Sequence, residues 1–581
     1  MRTPSFLART PVDVPDRSGF AMPHEYLTTG RCGTLIPVMC KRMVPGENLS
    51  LNIMFEAELP PMVSNFFGRL DLCFEAFFVP NYLLWGGWDD FFMHPTNNPI
   101  YPEGTNVAAK PHNIPHIVCE VLPDGTGRDR LDSLVGRNTL GDFLGLKTLS
   151  DGNDGAARIS VNSLPFMAYH RVYHDHYRNS VVQSPLFYKP ALGVYGNDGT
   201  DSNVPSVMPY NSLVDSAVED GDNVMDIEIG SVYFPDLDTY GLAPESQFSF
   251  GDGVPITSLR QANFDLDYFT AATPQPQAGS SSTLTFDVAV DTESGDGTGS
   301  FSIAALRSVN AIQQWMERNN LVGYDYGEQN YVQYGRYPKR MLDKCVYIGR
   351  YSEPVYNRSV FQTAQDGEAG NTSRNPFGGV AAKFGASAAN GKGRMFEDFV
   401  ASDHGYLMVM MSLRPHAYYS TGVERHFTAR HIGDIPFPLL SGVGDMPIYN
   451  YELMGFGTDA NTIAISNSIF GYIDQYANDK TALDSVHGEL RDGGTLDAFA
   501  LQRSFTPADG LTTISDSFLE IPQDYLDQVK QVQNSLVPID YWVSVFLDFN
   551  KISPLPVYSV PTLAELKHTH TVHVSRKKST I

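Results

Sequence analysis

The sequence has few cysteines and no long apolar run. Its five cysteines are scattered and none forms a Cys-x-x-Cys pair, so we expect free thiols in a reducing compartment rather than a zinc site. Residues 1–19 contain Pro4 and Pro11 but no apolar h-region, and no window approaches a membrane-spanning run. We therefore expect neither a signal peptide nor membrane insertion.

Positive charge is also scarce. Asp and Glu number 66 against 41 Lys and Arg, giving a formal net charge of −25. Because phosphate contacts need cations, this balance excludes a protein that holds nucleic acid over its whole surface. Residues 190–259 contain no Lys or Arg but twelve acids, and we predict that they form a solvated acidic surface insertion.

What the chain has in quantity is turn and strand formers. The 50 Gly, 38 Pro, 30 Tyr and 34 Phe indicate a mainly β protein. Alternating apolar residues predict two strands joined by the turn at residues 45–48. Runs that are apolar on both faces predict buried strands at 406–413 and 540–550.

Another strand, at residues 70–79, leads into an aromatic segment. Its apolar residues lie mainly on one face and Asp71 and Glu75 on the other, so we expect it to begin half exposed. After Pro80 ends the strand, three aromatic residues recur every three positions: Trp85, Trp88 and Phe91. This spacing predicts a short helical turn that anchors largely buried aromatic side chains against the core.

Five further segments have a distinct composition. We predict helices at 138–149, 164–178 and 303–319 from their apolar periodicity and N-terminal residues. A Gly-rich loop is expected at 367–393, and a short variable loop at 276–300.

The local positive charge lies at the two ends of the chain. The C-terminal tail, residues 564–581, is basic and has no acid after Glu565. The candidate phosphate contacts at the two ends are Arg2, Arg9, Arg17, Arg576, Lys577 and Lys578. We predict that they touch nucleic-acid phosphates without reading bases; the alternative is a tail that is merely disordered.

No pattern indicates catalysis or a cofactor. His170, His174 and His176 share one predicted helix, but the sequence has no His-Glu-x-x-His motif and no identifiable third ligand, so packed histidines are favoured over a metal site. The glycines at 385–393 do not have the spacing of a phosphate-binding loop. No serine elbow or Cys/His pair is present. We predict no catalytic, cofactor-binding or metal site.

Several segments, in order, resemble the major capsid protein of microviruses, the small tailless single-stranded DNA phages, and most of all their gokushovirus-like branch. The segment FFVPNYLLWGGWDDFF, which includes Trp85 and Trp88, is similar to a signature of that family. Other similar segments are GTLIPVMCKRMVPGENLSLN, LPFMAYHRVYHDHYRN, DYFTAATPQPQ, DHGYLMVMMSLRP, GTLDAFALQRSF and PLPVYSVPTL.

The resemblance implies one domain over residues 1–581: a single viral jelly roll, an eight-stranded antiparallel β-barrel with long loop insertions and a few helices. It implies a structural protein, not an enzyme, whose copies assemble in the host cytoplasm into a T=1 icosahedral shell around circular single-stranded DNA. A small basic packaging protein and an unknown host-surface receptor, touched by outer loops, are the implied partners. Compared with the family, 190–259 is long and acidic and 276–300 is short, which leaves open which insertion projects outward.

A second function class remains open from the residues alone. A β-sandwich carbohydrate-active enzyme or lectin would need a concave aromatic platform beside two carboxylates. Trp88 with Asp89 and Asp90 supplies such residue types, although a helical turn with its acidic side in water is the favoured interpretation.

Overall fold

The structure is a computed structural model. It describes residues 17–60, 66–84, 88, 114, 116–121, 138–146, 157–183, 186, 232–233, 258–276, 307, 331, 334, 344–363, 380–442, 444–507, 512–530 and 539–555.

Strands dominate the described residues. In chain order they are β1 (Ser18–Ala21), β2 (His24–Gly30), β3 (Ile36–Met43), β4 (Asn48–Glu58), β5 (Leu70–Pro80), β6 (His116–Val121), β7 (Ala157–Asn162), β8 (Val232–Tyr233), β9 (Val346–Pro354), β10 (Tyr356–Thr363), β11 (Val380–Val400), β12 (Gly405–Pro415), β13 (Asp445–Tyr449), β14 (Ile469–Asp474) and β15 (Tyr541–Ser553). The α-helices are α1 (Asn81–Leu84), α2 (Leu140–Leu144), α3 (Leu164–Val172), α4 (Asn450–Met454), α5 (Ala460–Ser466) and α6 (Asp516–Leu519).

Two antiparallel sheets form the body of the protein. The first has the order β1–β15–β4–β11–β10, with β2 also paired to β15; the second has the order β3–β12–β5–β9. β1 and β2 pair with β15 in one continuous register and therefore act as a single strand. With β10 as an additional edge strand, this is the eight-strand, two-sheet arrangement of a jelly roll. The predicted fold class is confirmed.

The main core lies between the two sheets. The rings of Phe55 on β4 and Phe74 on β5 are 5.0 Å apart, and those of Phe78 on β5 and Phe399 on β11 are 5.7 Å apart. The other face of the second sheet is covered by α3, where the Tyr169 hydroxyl donates to the Leu35 carbonyl at 2.8 Å. Burial on both faces explains why β5 and β12 carry continuous apolar runs.

The expectation that β5 begins half exposed is wrong. Asp71 and Glu75 are both buried, because residues distant in sequence cover their face of the sheet. Arg414 and Tyr177 contact the Glu75 carboxylate at 2.5 and 2.6 Å. A carboxylate that is paired with a cation and a hydroxyl can be buried. The acidic residues on this face of β5 therefore did not mean that the face is exposed to solvent.

The prediction of a Gly-rich loop at 367–393 is wrong for residues 380–393, which belong to the long strand β11, while residues 367–379 lie outside the described residues. The glycines there make room for an aromatic ring. A Cβ atom added at Gly393 would lie 2.1 Å from Cε2 of Tyr351 on β9, and one at Gly391 would lie 2.8 Å from the Tyr351 hydroxyl oxygen. The glycines therefore serve close packing between sheets rather than a turn.

A second hydrophobic core lies in the insertion between β12 and β15. It includes the hairpin β13–β14 and the segment at 268–272 that packs on it. Its largest members are Tyr268, Phe269, Tyr419, Phe470 and Phe518. The sequence pattern does not indicate this unit, because its strands and helices are short and their apolar periodicity is weak.

The remaining predictions have mixed outcomes. The helix predicted at 164–178 is confirmed: α3 continues as a π-helical turn, Tyr173–Tyr177. The one at 138–149 is much shorter, since Gly145 ends α2 in a left-handed conformation. Four other predicted segments lie wholly or almost wholly outside the described residues: 190–259, 276–300, 303–319 and 564–581.

Candidate assembly and nucleic-acid surfaces

The described parts of the two chain ends meet at one edge of the first sheet. Ser18, the first residue of β1, pairs with Ser553, the last residue of β15. Arg17 immediately precedes β1 and is exposed beside the β3–β4 turn at Gly46. The other five candidate cations, Arg2, Arg9, Arg576, Lys577 and Lys578, lie outside the described residues. The fold therefore brings the segments that lead to both basic ends to the same place.

A second cation at this edge is already paired. The Lys551 ammonium donates to the Glu47 carboxylate at 2.9 Å, and Glu47 also accepts from the Val44 amide at 3.1 Å. Burial raises the pKa of Glu47, but its bonds to Ser553, Lys551 and Val44 outweigh burial and hold the pKa below its usual value. Lys551 thus stabilises the fold, whereas Arg17 at this edge is exposed to solvent.

The aromatic anchor is described at one of its three positions. Trp88 is partly buried and packs against the jelly-roll core, with its ring 5.7 Å from that of His404. Trp88 therefore packs against the core with its side chain partly rather than fully buried. α1 begins directly after β5, and its Asn81 amide donates to the His404 carbonyl at 2.9 Å. Trp85 and Phe91 lie outside the described residues.

The outer face of the first sheet carries a shallow groove of about 760 Å³. Glu25, Glu56 and Phe546 line it, and the neighbouring groove of about 480 Å³ is lined by Trp542 and Glu58. The Trp542 indole donates to Glu58 at 3.2 Å. Aromatic side chains beside carboxylates are what a glycan site requires, so the fold by itself leaves the carbohydrate alternative open.

The three histidines of the predicted helix are engaged in separate hydrogen bonds. His170 accepts from the Arg260 guanidinium at 3.1 Å, while His174 contacts Asp175 at 2.9 Å and His176 contacts the Cys345 carbonyl at 3.0 Å. Burial lowers the pKa of both His174 and His176, which favours their neutral forms. Within the described part of the chain, no cluster of His, Cys, Asp and Glu has the arrangement of a metal site.

Four cysteine side chains are described, and all four are free thiols: Cys32, Cys40, Cys73 and Cys345. Burial raises the pKa of Cys40 to about 12 and that of Cys345 well above its usual value. Thiols that stay protonated in this way are poor nucleophiles, so their role is packing.

Comparison with known proteins decides between the two function classes. The family model described as "Capsid protein (F protein)" matches residues 9–204 and 294–563. The chain belongs to this phage capsid family. It is 25% identical to capsid protein VP1 of Chlamydia phage 1, with 95% of this chain and 96% of the relative covered. It is 23% identical to capsid protein VP1 of Bdellovibrio phage phiMH2K and of Spiroplasma virus 4, again over 94–96% of the chains.

As a Microviridae-type capsid protein, the chain is a structural component of a phage virion and not an enzyme. Among the described residues, no helix is long and apolar enough to cross a membrane. The capsid family model leaves residues 205–293 unmatched, an interval that contains most of the acidic segment. Within residues 205–293, the described residues 258–276 contribute Phe264 to the main core and Phe269 to the second core. This part of the unmatched interval therefore helps to hold the fold together.

Proposed function

We propose that the chain is the major subunit of a T=1 icosahedral shell that encloses a circular single-stranded DNA genome. The observation that carries the proposal is the complete jelly roll, whose eight strands lie within a sequence match that covers nearly the whole length of three phage capsid proteins. Membership of the capsid family implies self-assembly. A closed shell of identical chains is the usual way in which such subunits satisfy their contacts.

Sizing of the purified full-length chain tests the shell. We expect closed particles of megadalton mass by light scattering and by electron microscopy. A monomer or small oligomer that binds glycans at the groove of Glu25 and Phe546 would instead support the carbohydrate alternative.

We also propose that the cations of the two chain ends contact the genome inside the shell. Arg17 supports this assignment, because it is exposed at the sheet edge where Ser18 and Ser553 bring both ends together. Such contacts are electrostatic, so DNA binding should weaken with salt at a slope of about −0.7 per phosphate contact for single strands. The three C-terminal histidines, His568, His570 and His573, would add charge below roughly pH 6.5.

Replacing three tail cations tests the contact with DNA. The variant Arg576→Ala, Lys577→Ala, Lys578→Ala should form shells but retain less genome, measured as the ratio of nucleic acid to protein in purified particles. A control with Arg307→Ala, Lys392→Ala and Lys480→Ala removes the same charge from exposed positions outside both ends and away from the β3–β4 turn. Normal packaging by the tail variant, or equal loss in the control, would remove the assignment.

Most of the positive charge that neutralises the genome must come from another molecule, because the chain has 66 Asp and Glu against 41 Lys and Arg. We infer a separate small, strongly basic packaging protein as the source of this charge. We also propose that the acidic insertion at 190–259 lies outside the shell, where it does not repel phosphate.

Outer loops such as this insertion are our candidates for contact with the unknown host receptor. Limited proteolysis of intact particles should then cut first within 190–259, and protection of that segment would contradict its outward position.

A further inference from the structure

The segment between β12 and β13 exposes an unusual amount of apolar surface. We call residues 427–440 the apolar arm. From 429 to 441 every described side chain is exposed, and Leu439 is 91% exposed. The arm's large apolar side chains are Phe427, Ile432, Ile435, Phe437, Leu439 and Leu440. Soluble monomers rarely leave a contiguous apolar patch of this kind uncovered, so the arm calls for a partner surface.

The arm holds its own shape. The Asp434 carboxylate accepts hydrogen bonds from the Arg430 and His431 amides, both at 2.8 Å, and the Leu440 amide donates to the Phe437 carbonyl at 2.9 Å. Pro436 and Pro438 further restrict the backbone. A surface that is already ordered loses little conformational entropy when it binds, which is a property of good interfaces.

The arm is also anchored firmly to the second core. Just before it, the Arg425 guanidinium donates to the Pro447 carbonyl at 2.6 Å and the Val423 amide to the Tyr451 carbonyl at 3.0 Å. These bonds fix the base of the arm on the β13–β14 unit, whereas its large apolar side chains are exposed and belong to neither core. The arm is therefore a projection from a rigid base.

We propose that the apolar arm docks on a second copy of this chain and forms part of a subunit contact in the shell. This inference rests on the proposed shell, in which copies of one chain must supply both sides of each such contact. Charge is compatible with the same partner: Arg430 and Asp434 give the arm a formal charge of zero, so a copy with net charge −25 does not repel it. An apolar centre with a polar rim is the usual composition of a protein interface.

Cross-linking between isotopically distinct copies identifies the molecule that contacts the arm. Full-length chains carrying Leu439→benzoylphenylalanine are made with natural and with ¹⁵N nitrogen, mixed before assembly, and irradiated in the assembled particle. We expect cross-linked peptides that join one light and one heavy chain. Peptides cross-linked only within one chain, or to a different protein, would show another occupant and overturn the proposal.

A single substitution tests whether the contact matters for assembly. Leu439→Ser should raise the subunit concentration needed for assembly at least about tenfold, because a buried leucine is lost from a repeated contact. The melting temperature of the unassembled subunit should change by less than about 2 °C, because the side chain has little packing to lose. The matched control is Leu266→Ser, at a leucine that is 77% exposed outside the arm.

The possible outcomes distinguish a failure of the proposed arm contact from a failure of the proposed shell. Wild-type chains that form no shell would refute the proposed function itself. Wild-type shells together with unimpaired assembly of Leu439→Ser, or with equal impairment by Leu266→Ser, would overturn the role of the arm alone. If Leu439→Ser fails to fold, the mixed-isotope cross-link still decides the identity of the partner.

Discussion

Arg503 joins the two hydrophobic cores, and its removal is the sharpest test of how they are held together. Its guanidinium carbon lies 4.2 Å from the ring centroids of both Phe264 and Phe518, and 5.1 Å from that of Phe505. Phe264 belongs to the main core and Phe518 to the second. The guanidinium also donates to the Phe518 carbonyl at 2.5 Å and to the Tyr419 hydroxyl at 3.3 Å.

The magnitude follows from these contacts. A desolvated cation–π contact contributes up to about 2 kcal/mol, so the two nearest rings supply roughly 3–4 kcal/mol. A hydrogen bond from a charged donor adds about 1.5–3 kcal/mol. Burying the guanidinium costs several kcal/mol, which Arg503→Ala would recover in part. We therefore expect Arg503→Ala to lower the free energy of unfolding by about 2–3 kcal/mol, and Arg503→Lys to lower it by less.

Urea unfolding of dissociated subunits, followed by circular dichroism, measures this loss. The control is Arg491→Ala, since Arg491 is exposed in the same insertion and donates to the Ser420 carbonyl at 2.9 Å. Removal of this exposed contact should cost less than about 1 kcal/mol. The reasoning would be refuted if Arg503→Ala and Arg491→Ala unfolded at the same urea concentration as the wild type.

Three further predictions concern other packed sites. Trp88→Ala should lower the free energy of unfolding by less than the roughly 3–5 kcal/mol of a fully buried tryptophan, because Trp88 is only partly buried; thermal unfolding measures it. Gly393→Ala should cost about 1–3 kcal/mol, since the new methyl group would meet the Tyr351 ring, and Tyr351→Leu in the same chain should recover part of that loss. Burial raises the pKa of Asp175, but the Arg171 guanidinium at 2.7 Å, the His174 ring and the Cys345 amide together outweigh burial and hold the pKa well below its usual range. Because the pKa is depressed in the folded state, this stabilisation is present above about pH 4 and is lost as pH falls further, so Asp175→Asn should flatten acid unfolding curves.

Local pattern was enough to predict five strands of the jelly roll, namely β3, β4, β5, β12 and β15. The turn at 45–48 contains Gly46, which adopts a positive φ of 79° between β3 and β4, as a turn glycine should. The runs at 406–413 and 540–550 are the middle strands β12 and β15, each paired on both sides. β12 is buried on both faces, and such burial leaves a clear mark in sequence, because every position must then be apolar or closely paired. β15 is buried on one face only: its outer face exposes Trp542 and Phe546, so the apolar run at 540–550 predicted the strand correctly but its burial on both faces wrongly.

Long-range contacts explain what local pattern missed. Glu75 appears solvent-facing from alternation, yet Arg414 and Tyr177 cover it from distant parts of the chain. The glycines of β11 suggest a loop from sequence alone, but they are required because the Tyr351 ring occupies the space that their side chains would need. The sequence did not indicate the apolar arm either, because a short run of apolar residues interrupted by two prolines suggests a core segment as readily as an exposed one.

The same limit applies to the candidate nucleic-acid site. The sequence shows that cations collect at both ends of the chain, but not that the ends approach each other. That follows only from the pairing of Ser18 with Ser553, which closes the first sheet with strands from opposite ends of the chain. If the proposed genome contact is right, two short basic segments that start from one sheet edge would bind the same length of DNA, with a higher effective local concentration than either segment alone. A chain with net charge −25 can thus present a local cationic site without changing its overall charge, provided that a basic partner neutralises the rest of the genome.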